Sequence, residues 1–291
     1  MLAEACRMRE VPDCEFFINK RDYPQLKYNG IIGPVEPYGF IFDRDDADPA
    51  QDMPLENNRF KSYTPILSFY SSERFADIPF PTSEDWEAAT GEVFPAGLIP
   101  LRTTEGIVPK VPRDLFTSEN LKRFEFPWAD KVPTAFFRGT ATGGGVTVET
   151  NQRLHVAYLS HMWTSDGSET SVPHLDAKLT GYNFRDKKIY SSKVTYINKK
   201  AGFPFYIGKK NYTEIYMQGK FKYLLYIEGH CAACRYGFMM RLGSVILKVE
   251  SKCVADQMWY FPLLKPYSGT FLLFHQCTQC SSCLSFFYFP R

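Results

Sequence analysis

A chain of 291 residues, 44% hydrophobic and 23% charged, suits one large domain or two ordinary ones with ample material for a core. Its 34 Lys and Arg against 32 Asp and Glu leave a formal charge of +2, so no global field recruits nucleic acid and any anion site is local. No window reaches the roughly 18 uninterrupted apolar residues of a membrane span, and the start, "MLAEACRMREVPDCEFF", lacks the basic and apolar regions of a signal peptide. In chain order, residues 13–18, "DCEFFI", read as a short buried strand stopped by "NKRDYPQ", where Asn19 and Asp22 favour a turn and Pro24 biases Tyr23 away from helix. Residues 28–64, rich in Gly, Pro and Asp, read as a long loop region. "TPILSFYSS" is a second strand, and "FPTSEDWEAATG" a turn opening a short helix capped by Thr82 or Ser83. Prolines recur from 94 to 133, a connector with one helical stretch near "SENLKRF".

The pattern then changes, and a domain boundary is expected near Pro133. "TAFFRG" reads as a strand, 150–163 as a helix and "KVTYINKK" as a further strand candidate; "KYLLYIE" is a strand, 230–242 a helix and "SVILKVE" a strand. Strand, helix, strand in that order predicts a parallel βαβ sheet. Leu154, Tyr158 and Met162 recur at helical spacing as the expected buried stripe of the first helix.

Between the first strand and that helix lies "RGTATGGGVTVETN". Gly143 to Gly145 free the backbone for a tight turn, and Thr150 or Asn151 can cap the helix. A strand, a Gly-rich loop and a helix N-terminus present backbone N–H groups to one point, which suits an anion. Arg153 in the first turn faces the positive end of the helix dipole, at a cost of about 0.3–1 kcal/mol unless something negative sits there. The plain alternative is that it points sideways into water. The loop matches neither G-x-x-x-x-G-K-[ST] nor G-x-G-x-x-G. "KYLLYIEGHCAACRYGFMMRL" repeats the device with Gly229 at the turn, His230 at the helix start and Arg235 further along. Both turns open at the carboxyl edge, where open α/β sheets bind ligands. Arg138, Arg153 and Arg235 are therefore expected to converge on one pyrophosphate of a nucleotide-diphosphate ligand.

"FFINKRDYPQL", "PILSFYSSERFADIPFPTSEDW", "FFRGTATGGGVTVETNQRL", "LDAKLTGYN", "KYLLYIEGHCAACR", "LGSVILKVES" and "WYFPLLKPY" occur in one order. Together they resemble glycosyltransferase family 90, which holds protein O-glucosyltransferases and capsule-associated xylosyltransferases. The resemblance implies an α/β fold of GT-B type, two Rossmann-like halves facing a cleft: residues 1–133 on the acceptor side, incomplete at the N-terminus, and 134–267 binding the nucleotide sugar. It implies inverting, metal-independent transfer of a sugar, glucose or xylose, from a UDP-sugar to a hydroxyl of a protein or glycan acceptor, with no cofactor. The aspartate of the R-D-[YW]-P block, the general base, falls on Asp22. The UDP-sugar residues fall on Arg138, Gly139, Thr140, Thr142 and Arg153, and on Gly229, His230 and Arg235. Trp86 lies in a block where the family has an aromatic, lining an acceptor or sugar pocket or else packing in the core. Where the family continues into an H-Y-[IV]-P-V-like strand and closing helices, residues 268–291 form a Cys- and Phe-rich tail, and few residues precede the first matching block.

Other chemistries stay open. Asp43, Asp45, Asp46 and Asp48 follow an apolar run as a metal site of a GT-A transferase would, or form a solvated acidic loop. A non-catalytic sugar-nucleotide or glycan-binding module is a third reading. Among eight cysteines, Cys231/Cys234 and Cys277, Cys280 and Cys283 show C-x-x-C spacing that suits zinc, although the first pair sits in an expected helix. The 16% aromatic content fits carbohydrate platforms or a dense core. "NYT" at 211–213 is a glycosylation sequon if the chain meets the secretory lumen.

Overall fold

The computed structural model describes residues 6–22, 24–25, 65–72, 75–82, 85, 98–99, 102–103, 106–107, 111–112, 122, 125–165, 172–183, 202–250, 255–264 and 270–273. Near the N-terminus, β1 (Phe17–Asn19), β2 (Ile66–Ser68) and β3 (Ile78–Pro79) pair in parallel in chain order. β2 falls inside its predicted run. β1 overlaps the predicted 13–18 only at Phe17 and Ile18, and these are 63% and 43% exposed rather than buried, the buried residue of β1 being Asn19. Two antiparallel pairs follow: β4 (Leu98–Ile99) with β7 (Val111–Pro112), and β5 (Arg102–Thr103) with β6 (Gly106–Ile107). Thr82 caps the next turn as expected: its Oγ1 accepts the Asp85 N–H at 3.2 Å, while Asp85 Oδ2 accepts from the Thr82 N–H and hydroxyl, both at 3.0 Å.

The larger sheet has β8 (Val132–Ala141), β9 (Leu175–Tyr182), β10 (Phe221–Tyr226), β11 (Val245–Val249) and β12 (Thr270–Leu273), all parallel, in the order β12-β11-β10-β8-β9. Helix α1 (Gln152–Ser165) links β8 to β9, and the five-residue α2 (Arg235–Met239) lies between β10 and β11. Strand alternation sends Ala135 and Phe137 to one face, where Leu154 and Ala157 of α1 cover them, and Phe136 to the other, where Tyr236 and Met239 of α2 pack with Leu224, Tyr226 and Ile246. Helices on both faces explain why β8 is buried without a break from Thr134 to Gly139.

Three expectations change. The buried stripe of α1 is Leu154, Ala157 and Ser160, whereas Tyr158 is only partly buried and Met162 is 45% exposed. Small residues let the helix approach the sheet closely, and Ser160 Oγ both donates to Leu175 O at 3.1 Å and accepts from the Ala177 N–H at 3.0 Å. The helix expected over 230–242 is helical only over Arg235–Met239, because the preceding residues bond elsewhere: the Ala232 N–H to Ala255 O at 2.8 Å and the Ala233 N–H to Tyr226 Oη at 2.7 Å. The strand beside β8 is Leu175–Tyr182, whose alternation buries Leu175, Ala177 and Leu179; the candidate "KVTYINKK" lies outside the described residues. Thr270–Leu273, placed by the sequence in the tail, pairs along β11.

At the opposite end of the sheet, Lys131 is 3% exposed and donates to Gly219 O, Leu242 O and Ser244 Oγ, so a single ammonium ties the start of β8 to the turns before β10 and β11. Burial pulls its pKa down from the ordinary lysine value. Lys131→Met keeps the stem but strips all three acceptors of their donor, and is expected to lower unfolding stability by about 1–3 kcal/mol in a urea melt. The sequon is also engaged: Asn211 Nδ2 donates to Leu179 O at 2.8 Å and Tyr206 O at 3.0 Å, and a glycan on that nitrogen would leave it one N–H and so at most one of these bonds. Among the described residues no helix is long and apolar enough to cross a membrane.

Candidate functional site

The chain leaves β8 toward β9 on one side, and β10 toward β11 on the other. The strand order therefore reverses between β8 and β10, and a crevice opens at their carboxyl ends. Both turns named by the sequence meet there. The Gly143 N–H donates to His230 Nδ1 at 3.2 Å, which places the imidazole proton on Nε2. A β-carbon on Gly229 would lie 2.5 Å from Thr142 Oγ1 and 3.2 Å from Arg153 Nη2, so only glycine lets the turns close on each other. Gly145 holds φ +83°, and a β-carbon there would strike the Thr150 backbone at 2.6 Å.

Asn151, 1% exposed, organises this loop from both ends of its amide. Its Oδ1 accepts the N–H groups of Arg153 at 3.1 Å and Leu154 at 3.0 Å, capping α1, while Nδ2 donates to Thr142 O at 3.0 Å and Gly145 O at 3.1 Å. Asn151→Ala is expected to cost about 1–2 kcal/mol of stability through the lost cap, read as a lower melting temperature.

Arg153 is 5% exposed and does not point into water. It donates to Thr140 O at 2.8 Å and Thr142 Oγ1 at 2.7 Å at the end of β8, and to Ile227 O at 2.8 Å beyond β10. Its guanidinium thus bridges the crevice. Arg235 reaches it from the opposite face of the sheet, donating to Arg138 O; a β-carbon on Gly139 would meet its Nη2 at 3.1 Å and the Phe137 ring at 3.0 Å. The two guanidiniums stand over the same ring, 5.7 Å (Arg153) and 5.5 Å (Arg235) from the centroid of Phe137. Among the described residues neither forms an ion pair; their acceptors are neutral. Burial, then the charge of Arg235, pulls the Arg153 pKa down, and burial does the same to Arg235. Arg153 is buried and Arg235 partly buried. The buried Glu228 carboxylate acts on Arg153 in the opposite sense to Arg235, and an added anion near both guanidiniums would lower their mutual repulsion further.

Arg138 does not join them. It lies over Phe136, 4.2 Å from the centroid and on the other face of β8, and pairs with Asp176 Oδ2 at 2.7 Å. Its Nη1 donates to Phe137 O and Asp176 O, both at 2.9 Å, so Arg138 locks β8 to β9. Part of the expected cradle of backbone amides is spent internally. The N–H of Gly143 is bonded to His230, those of Thr147, Arg153 and Leu154 within the loop and cap, that of Gly229 to Cys231 O, and those of Ala232 and Ala233 to Ala255 O and Tyr226 Oη. Positive charge at the strand tips comes from guanidinium groups.

Asp22 follows the carboxyl end of β1 on an exposed bend. The loop is anchored by buried polar groups: Asn19 Oδ1 accepts the Arg21 N–H at 2.9 Å, Asn19 Nδ2 donates to Ser68 Oγ at 3.0 Å, Ser68 Oγ to Asp77 Oδ1 at 2.6 Å, and the Gln25 N–H to that same Oδ1 at 2.8 Å. The small sheet is joined to the larger unit by paired backbone bonds between Ser71 and Gln257, 2.9 and 3.0 Å. Trp86, Asp43, Asp45, Asp46, Asp48, Cys277, Cys280 and Cys283 lie outside the described residues. Cys231 and Cys234 form no disulfide, and the described residues hold no cluster of three or more potential metal ligands.

Sequence reasoning missed the supports: Asp77, Asp176 and Tyr226, whose hydroxyl holds the Ala233 N–H. The signal for Asp176 was the alternation in "LDAKLTGY", and for Asp77 a lone carboxylate inside an apolar stretch.

A parallel α/β sheet covered on both faces, with two guanidiniums across its strand-order reversal, is a Rossmann-like layout. The chain belongs to glycosyl transferase family 90, whose profile matches residues 31–268. It is 36% identical over 283 residues to protein 179R of Invertebrate iridescent virus 6, covering 92% of this chain and 22% of that protein. To protein 027R of Frog virus 3 it is 30% identical over 271 residues, 89% of this chain and 24% of that one. With protein O-glucosyltransferase 1 of Homo sapiens it shares 23% over 261 residues, 88% of this chain and 48% of that one. The chain thus spans about a fifth of the viral relatives' length and half that of the O-glucosyltransferase.

Proposed function

We propose that the chain transfers a sugar from a UDP-sugar to an acceptor hydroxyl with inversion and without a metal ion. The observation that carries this reading is the Arg153–Arg235 pair over Phe137, one buried and one partly buried cation whose hydrogen-bond partners are neutral, at the strand-order reversal. A diphosphate between them gains charge-assisted hydrogen bonds and relieves their repulsion.

In the reaction, the Asp22 carboxylate takes the acceptor proton. The acceptor oxygen forms its bond to the anomeric carbon from the face opposite the diphosphate. The bond from that carbon to the β-phosphate oxygen breaks, and its electron pair leaves with UDP, where the guanidiniums take up the developing charge. An exposed bend suits a base that meets an incoming acceptor. The small parallel sheet carrying Asp22 forms the acceptor half of a GT-B arrangement, and the five-stranded sheet the donor half. His230, donating from Nε2, and the groups of Gly139, Thr140 and Thr142 line the donor pocket, with Arg138 supporting it through Asp176. Family membership and the O-glucosyltransferase relatives support glucose as the first donor to try, with xylose next.

The test is a panel of UDP-sugars with and without acceptor, read as UDP released in excess EDTA. Release within about twofold of the rate in manganese is expected, since guanidiniums supply the charge stabilisation. Complete loss in EDTA restored by manganese would contradict the reading and favour a metal site at Asp43–Asp48.

A further inference from the structure

We infer that a cavity on the far side of α2 from the diphosphate pocket binds a neutral saccharide ring of the acceptor, which makes the acceptor a glycan. This rests on the transferase reading above and assigns its second substrate.

The cavity has a volume of about 310 Å³ and is walled by Asp85, Gly237, Phe238, Trp259, Tyr260 and Leu264. Asp85 comes from the chain beyond the small sheet that carries Asp22; Gly237 and Phe238 come from α2, and Trp259 and Tyr260 from the crossover toward β12. The walls are held together by the Trp259 indole N–H, which donates to Asp85 Oδ2 at 3.1 Å. Arg235 at the start of α2 turns to Phe137, while Cys234 and Phe238 border the cavity. Donor pocket and cavity therefore back onto one another across one helix, about 10 Å thick. A ring held there lies away from the reacting hydroxyl, so the acceptor must extend from the cavity to the donor, as an oligosaccharide of more than one ring does.

The polar groups select the occupant. Asp85 Oδ2 is saturated by the Thr82 N–H, the Thr82 hydroxyl and the Trp259 indole. Asp85 Oδ1 has no hydrogen bond among the described residues and faces Gly237, where an added β-carbon would lie 3.4 Å from it and 3.7 Å from Tyr260 Oη. That phenol donates to Met258 Sδ at 3.4 Å, a weak acceptor that a ligand oxygen would outcompete. A carboxylate oxygen and a phenol set into apolar walls match a pyranose, whose hydroxyls bond and whose C–H faces pack on aromatic rings. Arg241 also borders the cavity, so the lining carries a charge of each sign and suits a neutral ring better than a phosphate or a cation. A hydrocarbon chain would leave the carboxylate oxygen desolvated and unpaired. A folded protein acceptor needs about 800 Å² of surface on each partner, far more than a one-ring cavity offers.

The test uses the full chain, with methyl β-glucopyranoside and methyl β-xylopyranoside as probes in saturation-transfer NMR and UDP titrated separately by calorimetry. Saturation of at least one glycoside is expected in the wild type. It should fall fivefold or more in Trp259→Ala, in Asp85→Asn and in Gly237→Ala, with UDP affinity unchanged within twofold. Gly237→Ala is the variant that separates binding from folding: its β-carbon covers Asp85 Oδ1 at ordinary contact distance, and alanine favours helix, so it should melt no lower than the wild type. Glycosides that saturate in no form would overturn the proposal. So would a folded peptide acceptor whose KM the three variants leave unmoved, or variants that shift UDP affinity instead. A wild type that binds glycosides but not UDP would overturn the donor reading and leave the saccharide site standing.

Discussion

Asp22→Asn is expected to lower sugar transfer by about 10²–10⁴-fold, the range for removing a positioned general base. UDP affinity should stay within twofold and the melting temperature within error. The reasoning is structural on both counts. Asp22 is exposed and makes no hydrogen bond or ion pair among the described residues, so a neutral isostere costs the fold nothing. The loop is set by Asn19 and Asp77. Asparagine has the same shape and cannot take the acceptor proton. Asp77→Ala makes the contrasting case: Asp77 is 4% exposed, and without it Ser68 and the Gln25 N–H lose their acceptor. That variant should lose both stability and transfer. Asp22→Asn with full activity would remove the base from the scheme.

Arg235→Ala is expected to weaken UDP binding by about ten- to a hundredfold, the equivalent of one or two lost charge-assisted hydrogen bonds. The donor KM should rise accordingly while the acceptor KM holds. Arg235→Lys should recover part of the loss, since an ammonium keeps the charge but not the guanidinium fork. Arg153 is a poorer probe of binding. It holds the carbonyls of Thr140 and Ile227, so Arg153→Ala loosens the tips of β8 and β10 and lowers stability as well. Arg138→Ala separates the roles further. Its partner is Asp176, so it should act mainly through the β8–β9 edge, with a smaller effect on UDP than Arg235→Ala.

How much of this was legible is clearest at the tip of β8. The apolar run "TAFFRG", the glycines after it and a capping residue before α1 follow from local chemistry, and the structure has all three. The partners of the arginines required more. In a strand, Phe137 and Arg138 must point to opposite faces, so anything standing over Phe137 excludes Arg138; period-two reasoning carried one residue further would have separated them. The choice of guanidiniums over amides as the source of positive charge was not readable. It depends in part on His230 and Tyr226 taking the N–H groups of Gly143 and Ala233, contacts 87 and 7 residues apart in the chain. Helix periodicity misled at 230–242 because the Ala232 N–H binds Ala255 O, a tertiary bond that overrides local propensity. It misled again in α1, where the small residues Ala157 and Ser160 face the sheet and a hydrophobicity count passes over them. The β9 strand was legible and missed: Leu175, Ala177 and Leu179 alternate with Asp176, Lys178 and Thr180 as an edge strand with one wet face should.

The account stands most directly on calorimetric titration of UDP and of UMP into the chain in metal-free buffer. The β-phosphate is the group assigned to Arg153 and Arg235, so UDP should bind at least about tenfold tighter than UMP, and Arg235→Ala should remove most of that difference. Equal affinity of the wild type for the two nucleotides, or a preference for UDP that Arg235→Ala leaves intact, would contradict it.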